Sequence, residues 1–434
     1  MPGKPYMFEP GLESMPKDLL RKRQTELLKQ TVERCYTKVD MYREKFREKG
    51  ITPSDIKTLE DIRKLPFTTK EDLRVRYPLN GVLAVPMEEV VRVHMTSGTT
   101  GKPTLSPFTA NDLQLAYRMF ARVFAAAGCG KEDTFLCLVG YGLFLGGLIC
   151  GPAAEMIGMF HIPSGSATPS ARQLEFIQDL HPTVMTATPS FYLHITEVAK
   201  ESSIDLRKLG VRVLTMGAEA STQQTRDILG EAWNANVFDV GGTCELFHIY
   251  YECAEHRGLH IPEDNYIFEI LDPKTDEPAG PGERGELVVT TLMKDAMPLV
   301  RWRTRDITSF VEGPCPCGRT SRVIDHFSGR VDDMFKIKGV GIFPSQIEEI
   351  IRSIPELKDS EFQLVISRTK TMANVLTIKA EIPEALSAGS EKISKKIAEE
   401  VKNKLTISSN VELVKFGTLP RFTHKAKRVV FPEG

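Results

Sequence analysis

Apolar residues recur near helical spacing between residues 15 and 49, at Leu19, Leu20, Leu27, Leu28, Val32 and Tyr36, among many charged positions. The spacing predicts one or two charged amphipathic helices. From about 88 to 300 the pattern changes. Short β-rich runs ("VVRVHM", "TFLCLV", "TVMTAT", "VRVLTM", "NVFDVG") alternate with helical stretches such as "ANDLQLAYRMFARVFAAAG" and "SARQLEFIQDL". That alternation is expected of an α/β sheet with crossover helices. The segment "DNYIFEILDPKTDEPAGPGERGELVVTTL" sets two apolar strand candidates around a loop rich in Asp, Pro and Gly, which predicts antiparallel hairpins. Past "SGRVDDMFKIKGVGIFPSQIEEIIRSI" the remaining residues read strand, helix, strand, strand, helix, strand. A domain boundary is therefore expected near Gly329 to Asp333, dividing 1–329 from 330–434. No internal repeat or low-complexity tract interrupts the pattern.

Composition narrows the function class. A chain of 434 residues, 41% hydrophobic, exceeds the size at which one core usually stops growing, so a large domain and at least one smaller one are expected. Lys plus Arg number 56 against 57 Asp plus Glu, which gives no electrostatic reason to expect nucleic acid or an acidic membrane surface as partner. The N-terminus is polar and proline-broken, and no apolar run reaches transmembrane length, so a cytoplasmic protein acting on a small molecule is expected. A homodimer remains open to it. Eight cysteines across this length do not form a disulfide framework, and Cys35, Cys129, Cys137, Cys150 and Cys244 read as reduced thiols.

The stretch "MTSGTTGKPT", residues 95 to 104, carries the first chemistry. It is not a Walker A loop: counting back from Gly101-Lys102 puts Thr96 where the first glycine belongs, and Pro103 stands where Ser or Thr is needed. Gly98 and Gly101 still permit close backbone approach, while Thr96, Ser97, Thr99 and Thr100 offer hydroxyls and Lys102 a cation. Such a set suits phosphate oxygens. A second constellation, Cys253-x2-His256-x3-His260 followed by Cys315-Pro-Cys317, has the donors of a tetrahedral zinc site.

"TSGTTGKPT" resembles the phosphate loop of the acyl-adenylate-forming enzymes, and further landmarks are similar to those of their phenylacetate-CoA ligase branch. These are "LPFTTKEDLRVRYP", "GYGLFLGG", "GAEA", "ECAEHRGLHIPED", "MPLVRWRTRDIT", "CPCGR", "GRVDDMFKIKGVGIFPSQIEEI" and "LPRFTHKAKRVV". The resemblance spans nearly the whole chain. It implies an α/β fold, with a large multi-sheet N-terminal domain containing a β-rich subdomain and a small mobile α+β C-terminal domain. It also implies ATP, Mg²⁺ and CoA: a carboxylate attacks the α-phosphorus of ATP to give acyl-AMP and pyrophosphate, and a thiol then takes the acyl group.

By that resemblance the loop 96–102 would hold the β- and γ-phosphates, and Glu245 would help hold Mg²⁺. Asp306 would accept from the ribose hydroxyls, Gly217, Ala218 and Glu219 would line the adenine pocket with Asp239 nearby, and Arg330 would approach the nucleotide. Lys425 would reach the reacting oxygens during adenylation, and Asp332 would be the hinge. Tyr141, Phe144 and Gly146 would face the acid's ring, with His248 bordering the pocket. The zinc ligands implied are Cys253, His260, Cys315 and Cys317, with His256 as the spare, in a structural site. The chain departs from the pattern where an aromatic residue commonly stacks on adenine, which here is Gly241, and at Cys244 and His424. The expected activity is joining an aromatic or arylacetic acid to CoA. Transfer to a carrier-protein thiol or an amine, or an inactive nucleotide-binding homologue, are the alternatives.

Overall fold

The computed structural model describes residues 6–96, 103–330, 334–337, 340–368, 374–421 and 428–431. The chain forms two compact units, Met1–Gly165 with Pro182–Thr186 and Phe238–His326, and Ser166–His181 with Ala187–Val237 and Phe327–Gly434.

The first unit begins with the predicted amphipathic helices, Lys17–Lys38 and Asp40–Lys49. The buried face of the first carries Leu20, Gln24, Leu28, Thr31, Val32 and Cys35, while Leu19 of the expected stripe is exposed. Gln24 is tolerated there because its amide donates to the carbonyls of Glu263 and Tyr266 at 2.9 and 3.1 Å. Strand Thr134–Cys137 pairs in parallel with Phe160–Ile162 on one side and Val184–Ala187 on the other. Helix Ala110–Ala126 packs against helix Gly146–Ile157, which supplies the crossover from Thr134–Cys137 to Phe160–Ile162. The former starts at a capping box in which Thr109 and Asp112 satisfy each other's backbone N–H groups. Asp112 is fully buried because it also accepts from Asp295 N at 2.7 Å and Ala296 N at 2.9 Å, fixing the segment that carries Lys294.

Antiparallel pairing joins Asn236–Thr243, Phe247–Glu252, Leu259–His260, Val323–Ile324 and Phe310–Val311 in that order. Tyr266–Leu271 and Gly285–Thr291 form the expected antiparallel hairpin, and Trp302–Thr308 extends it by a third antiparallel strand. A short hairpin of Arg92–Met95 and Leu105–Phe108 holds the ends of the glycine-rich loop.

The second unit contains strand Val213–Met216 with helices Ser170–Leu180, Pro189–Glu201 and Gln223–Trp233. Its C-terminal part has hairpin Phe335–Ile337 and Val340–Ile342, helix Pro344–Arg352, helix Ser390–Leu405, and a sheet in the order Ser409–Lys415, Asn374–Ile382, Phe362–Arg368, Val429–Val430. Ile347, Ile350, Ile351, Leu364, Leu376, Ile378, Ile397 and Val401 fill its core. The predicted order of elements is present, with the hairpin and the final two-residue strand added; both are short enough to escape a periodicity argument. Among the described residues, no helix is long and apolar enough to cross a membrane.

Candidate active site

The glycine-rich loop leaves and re-enters the described structure at a locked base. Thr96 N donates to Thr104 O at 3.1 Å, Thr104 N donates to Thr96 Oγ1 at 3.2 Å, and the two hydroxyls are 3.0 Å apart. Ser97, Gly98, Thr99, Thr100, Gly101 and Lys102 lie outside the described residues, as do Asp332 and Lys425.

Thr104 then donates from Oγ1 to Glu245 Oε1 at 2.8 Å. Glu245 sits in the turn between strands Asn236–Thr243 and Phe247–Glu252, where the register slips at Gly241 and Gly242. Backbone requires glycine at 242, and glycine at 241 makes room for the Tyr250 side chain. A Cβ on Gly242 would lie 1.7 Å from the Phe247 carbonyl oxygen, and one on Gly241 would lie 2.2 Å from Tyr250 Oη. Glu245 is 1% exposed, and its Oε2 has no hydrogen-bond partner among the described residues. A buried carboxylate oxygen without a partner is costly and calls for a cation or donor. A hard divalent ion at the base of a phosphate loop fits that oxygen.

Lys294, absent from the sequence expectations, completes this centre. Its Nζ donates to Glu245 O at 2.8 Å and Ser106 Oγ at 3.0 Å, and lies 5.4 and 5.2 Å from the ring centroids of Phe108 and Phe247. Burial pushes its pKa down to about 8 against the pull of Asp112 and Glu245. Nothing in "TLMKDAM" distinguishes this lysine from a surface one; only the folded placement of the Asp112 staple does. Tyr250 was equally illegible, since it fills the space of the missing aromatic at 241 from the neighbouring strand.

The 140–147 loop is tied to the same hairpin. Leu143 O accepts from Met95 N at 2.9 Å and lies 3.1 Å from His94 Nδ1. Phe144 is 54% exposed and so is not a core aromatic, and Gly146 opens helix Gly146–Ile157, where a Cβ would meet Gly140 O at 2.7 Å. His248 meets Phe120 edge-on at 4.5 Å; burial drops its pKa to about 4, so it is neutral at ordinary pH. Asp239 donates its N–H to Glu252 Oε2 at 2.7 Å, and Asp306 is half-buried on Trp302–Thr308 with its N–H on Thr304 Oγ1 at 3.1 Å.

In the second unit Gly217, Ala218 and Glu219 follow strand Val213–Met216, with Ala218 in the left-handed region at φ 68°. Glu219 accepts from Ser190 N at 3.1 Å and Ser190 Oγ at 2.9 Å. Arg330 lies half-buried in Gly329–Arg330.

Cys253, His260, Cys315 and Cys317 come together with their ligand atoms all within 4.8 Å of one another. Cys253 Sγ is 3.6 Å from Cys315 Sγ, and Cys317 Sγ is 3.3 Å from His260 Nε2. His260 Nδ1 faces Ser321 Oγ at 3.3 Å, the kind of outer contact that orients a metal-binding imidazole. His256 is elsewhere: it stacks on Phe238 and faces Glu252 at 3.5 Å. Four soft and borderline donors at this spacing suit tetrahedral Zn²⁺.

Residues 20–293 match the AMP-binding enzyme family and residues 339–431 match the AMP-binding enzyme C-terminal domain. The chain is 38% identical to a phenylacetate-coenzyme A ligase of Thermus thermophilus, covering 96% of this chain and 97% of that one. It is 39% identical to a phenylacetate-coenzyme A ligase of Escherichia coli, covering 96% of each. The chain belongs to the phenylacetate-CoA ligase family of AMP-binding enzymes. A crystal structure of 2-hydroxyisobutyryl-CoA ligase in the postadenylation state is 28% identical, with a TM-score of 0.91 over 98% of this chain and 92% of that chain. Membership in this family makes the chain an adenylate-forming ligase.

Proposed function

We propose that the chain is an ATP-dependent, AMP-forming ligase that activates an aromatic or arylacetic acid as its acyl-AMP and passes the acyl group to CoA, with phenylacetate the default substrate. The observation that carries this reading is the buried, half-satisfied carboxylate of Glu245 at the base of the 97–102 loop. Adenylation brings a carboxylate against a triphosphate, so the protein's work is neutralising charge and aligning the attacking oxygen. Glu245 would hold Mg²⁺ with the phosphates, Lys102 and the loop backbone would hold the β- and γ-phosphates, and Lys294 would keep the Glu245 backbone fixed. Asp306 would accept from the ribose hydroxyls, with Gly217, Ala218, Glu219, Asp239 and Arg330 around the nucleoside and Tyr250 supplying the aromatic face that Gly241 lacks. Lys425 would stabilise charge on the reacting oxygens, from a C-terminal domain 330–434 that swings on Asp332. Tyr141, Phe144, Gly146 and His248 would enclose the acid, and Cys253, His260, Cys315 and Cys317 would hold a structural Zn²⁺.

Incubation of purified protein with ATP, Mg²⁺, CoA and a panel of aryl and short aliphatic acids tests the reading by mass spectrometry. AMP and an aryl-CoA in equal amounts are expected. AMP or acyl-AMP without acyl-CoA would move the acceptor away from CoA, and ADP would overturn the adenylate chemistry.

A further inference from the structure

Tyr141, His161 and Glu155 form a hydrogen-bonded chain. The Tyr141 hydroxyl lies 3.0 Å from His161 Nε2, and His161 Nδ1 lies 2.9 Å from Glu155 Oε1. A carboxylate on Nδ1 fixes the tautomer: Nδ1 carries the proton, and Nε2 accepts from the phenol. The His161 side chain is covered and stacks on Phe135 with centroids 5.5 Å apart, whereas Tyr141 remains 39% exposed. Three glycines shape the seat. A Cβ on Gly147 would lie 2.6 Å from Tyr141 Cζ, one on Gly165 3.1 Å from Tyr141 Cδ2, and one on Gly151 2.3 Å from His161 Cε1. Both rings therefore rest on bare backbone that no side chain can share. Two and three residues further along the same loop, Leu143 and Phe144 present exposed apolar surface.

We propose that Tyr141, His161 and Glu155 act as one unit that selects the acid, and that the preferred substrate is an aryl acid carrying a hydroxyl on its ring. The inference rests on the reading of the 140–147 loop as a wall of the acid site. A phenol has one proton and two lone pairs; with the proton directed at His161, the oxygen offers an acceptor to a ring hydroxyl. A bare ring would cover that oxygen without replacing its water, which a polar site penalises. Burial raises the pKa of Tyr141 and pushes that of the neighbouring Cys137 up to about 11, so both stay protonated. Tyr141 touches the substrate, and His161 and Glu155 are positioning residues that act through it.

The test is kcat and KM, read by pyrophosphate release, for phenylacetate against its 3- and 4-hydroxy forms and benzoate against its hydroxy forms. Wild type, Tyr141→Phe, His161→Leu and His161→Gln are compared, with thermal unfolding of each. Wild type should favour a hydroxylated acid by about tenfold or more, carried in the acid's KM. Tyr141→Phe and His161→Leu should erase that preference while leaving the KM for ATP unchanged, and His161→Gln, which retains an acceptor, should keep more of it. Should His161→Leu fail to fold, Tyr141→Phe, which keeps the ring, decides. A preference for the bare ring in wild type, or one untouched by Tyr141→Phe, overturns the inference and leaves the ligase reading standing. Absence of pyrophosphate release with every aryl acid overturns both.

Discussion

Lys294 is a cation where a cation opposes folding. It is covered by Phe108 and Phe247, and burial brings its pKa to about 8 from 10.5. Between those two values the unfolded chain holds a proton that the folded chain has released, so stability rises with pH through that window, by up to about 1.4 kcal/mol per pH unit. Below pH 8 the whole penalty stands. The unfolding free energy of wild type relative to Lys294→Met should therefore improve by ~1–3 kcal/mol between pH 7.5 and 10 in urea titrations. A difference flat with pH would show that the ammonium is hydrated. Glu245 poses the converse problem, an anion waiting for a cation. Glu245→Gln keeps the shape and the Thr104 contact, so its melting temperature should hold. Acid-dependent pyrophosphate exchange should fall by about 100-fold or more, with a higher Mg²⁺ requirement. A lower rate with unchanged Mg²⁺ dependence would place the ion elsewhere.

The cysteine and histidine cluster acts at the level of elements, because its four side chains come from one strand and two loops distant in sequence. The residues just past Cys317 hold the N-terminal segment: Arg319 Nε donates to Glu13 Oε2 at 2.8 Å, Arg319 Nη2 donates to Tyr6 O at 2.9 Å, and Thr320 N donates to Glu13 O at 3.0 Å. A metal that fixes the 315–319 turn thus fixes where residues 6–15 dock. Protein prepared without added metal should carry about one zinc per chain. Cys315→Ser should lose it, lower the melting temperature by several degrees and raise hydrogen exchange at residues 6–15; unchanged metal content would refute the ligand set. Elements of this kind differ in how far the sequence reveals them. The helix Ala110–Ala126 and the hairpin Tyr266–Thr291 were legible because periodicity and turn residues act locally. The bulge at Gly241 and Gly242 was not, since what forbids a Cβ there is a carbonyl five residues on and a tyrosine across the ladder. For the same reason, "FHIP" gave no sign that His161 would meet Tyr141.

At the scale of the molecule, motif order disclosed the family, yet the segment around Lys425, to which we assign a part in adenylation, is best approached from the described residues on either side of it. Lys425 belongs to a basic run that charge patterning alone would assign to solvent. On one side of it Arg421 pairs with Glu381 through Nη1–Oε1 at 2.9 Å and Nη2–Oε2 at 2.8 Å, and with Glu197 through Nε–Oε2 at 3.1 Å. On the other side Arg428 pairs with Glu361 at 3.2 Å. Glu381 is fully buried and also accepts from Leu419 N at 2.7 Å, so that arm is part of the C-terminal core. Glu197, on helix Pro189–Glu201, is the arm that would have to let go if the proposed C-terminal domain swings. Two substitutions should then separate by degree. Lys425→Ala should nearly abolish pyrophosphate exchange yet leave thioester formation from supplied acyl-AMP within about threefold, since the lysine acts on charge that develops only in the first step. Glu197→Gln should slow adenylation by about three- to tenfold, the loss of one charged arm, with thioester formation unaffected or faster. Equal loss of both half-reactions in Lys425→Ala would mean that the lysine maintains the fold. Equal loss in Glu197→Gln would mean that the Arg421 pair is structural in both arrangements and that the domain swings on other contacts.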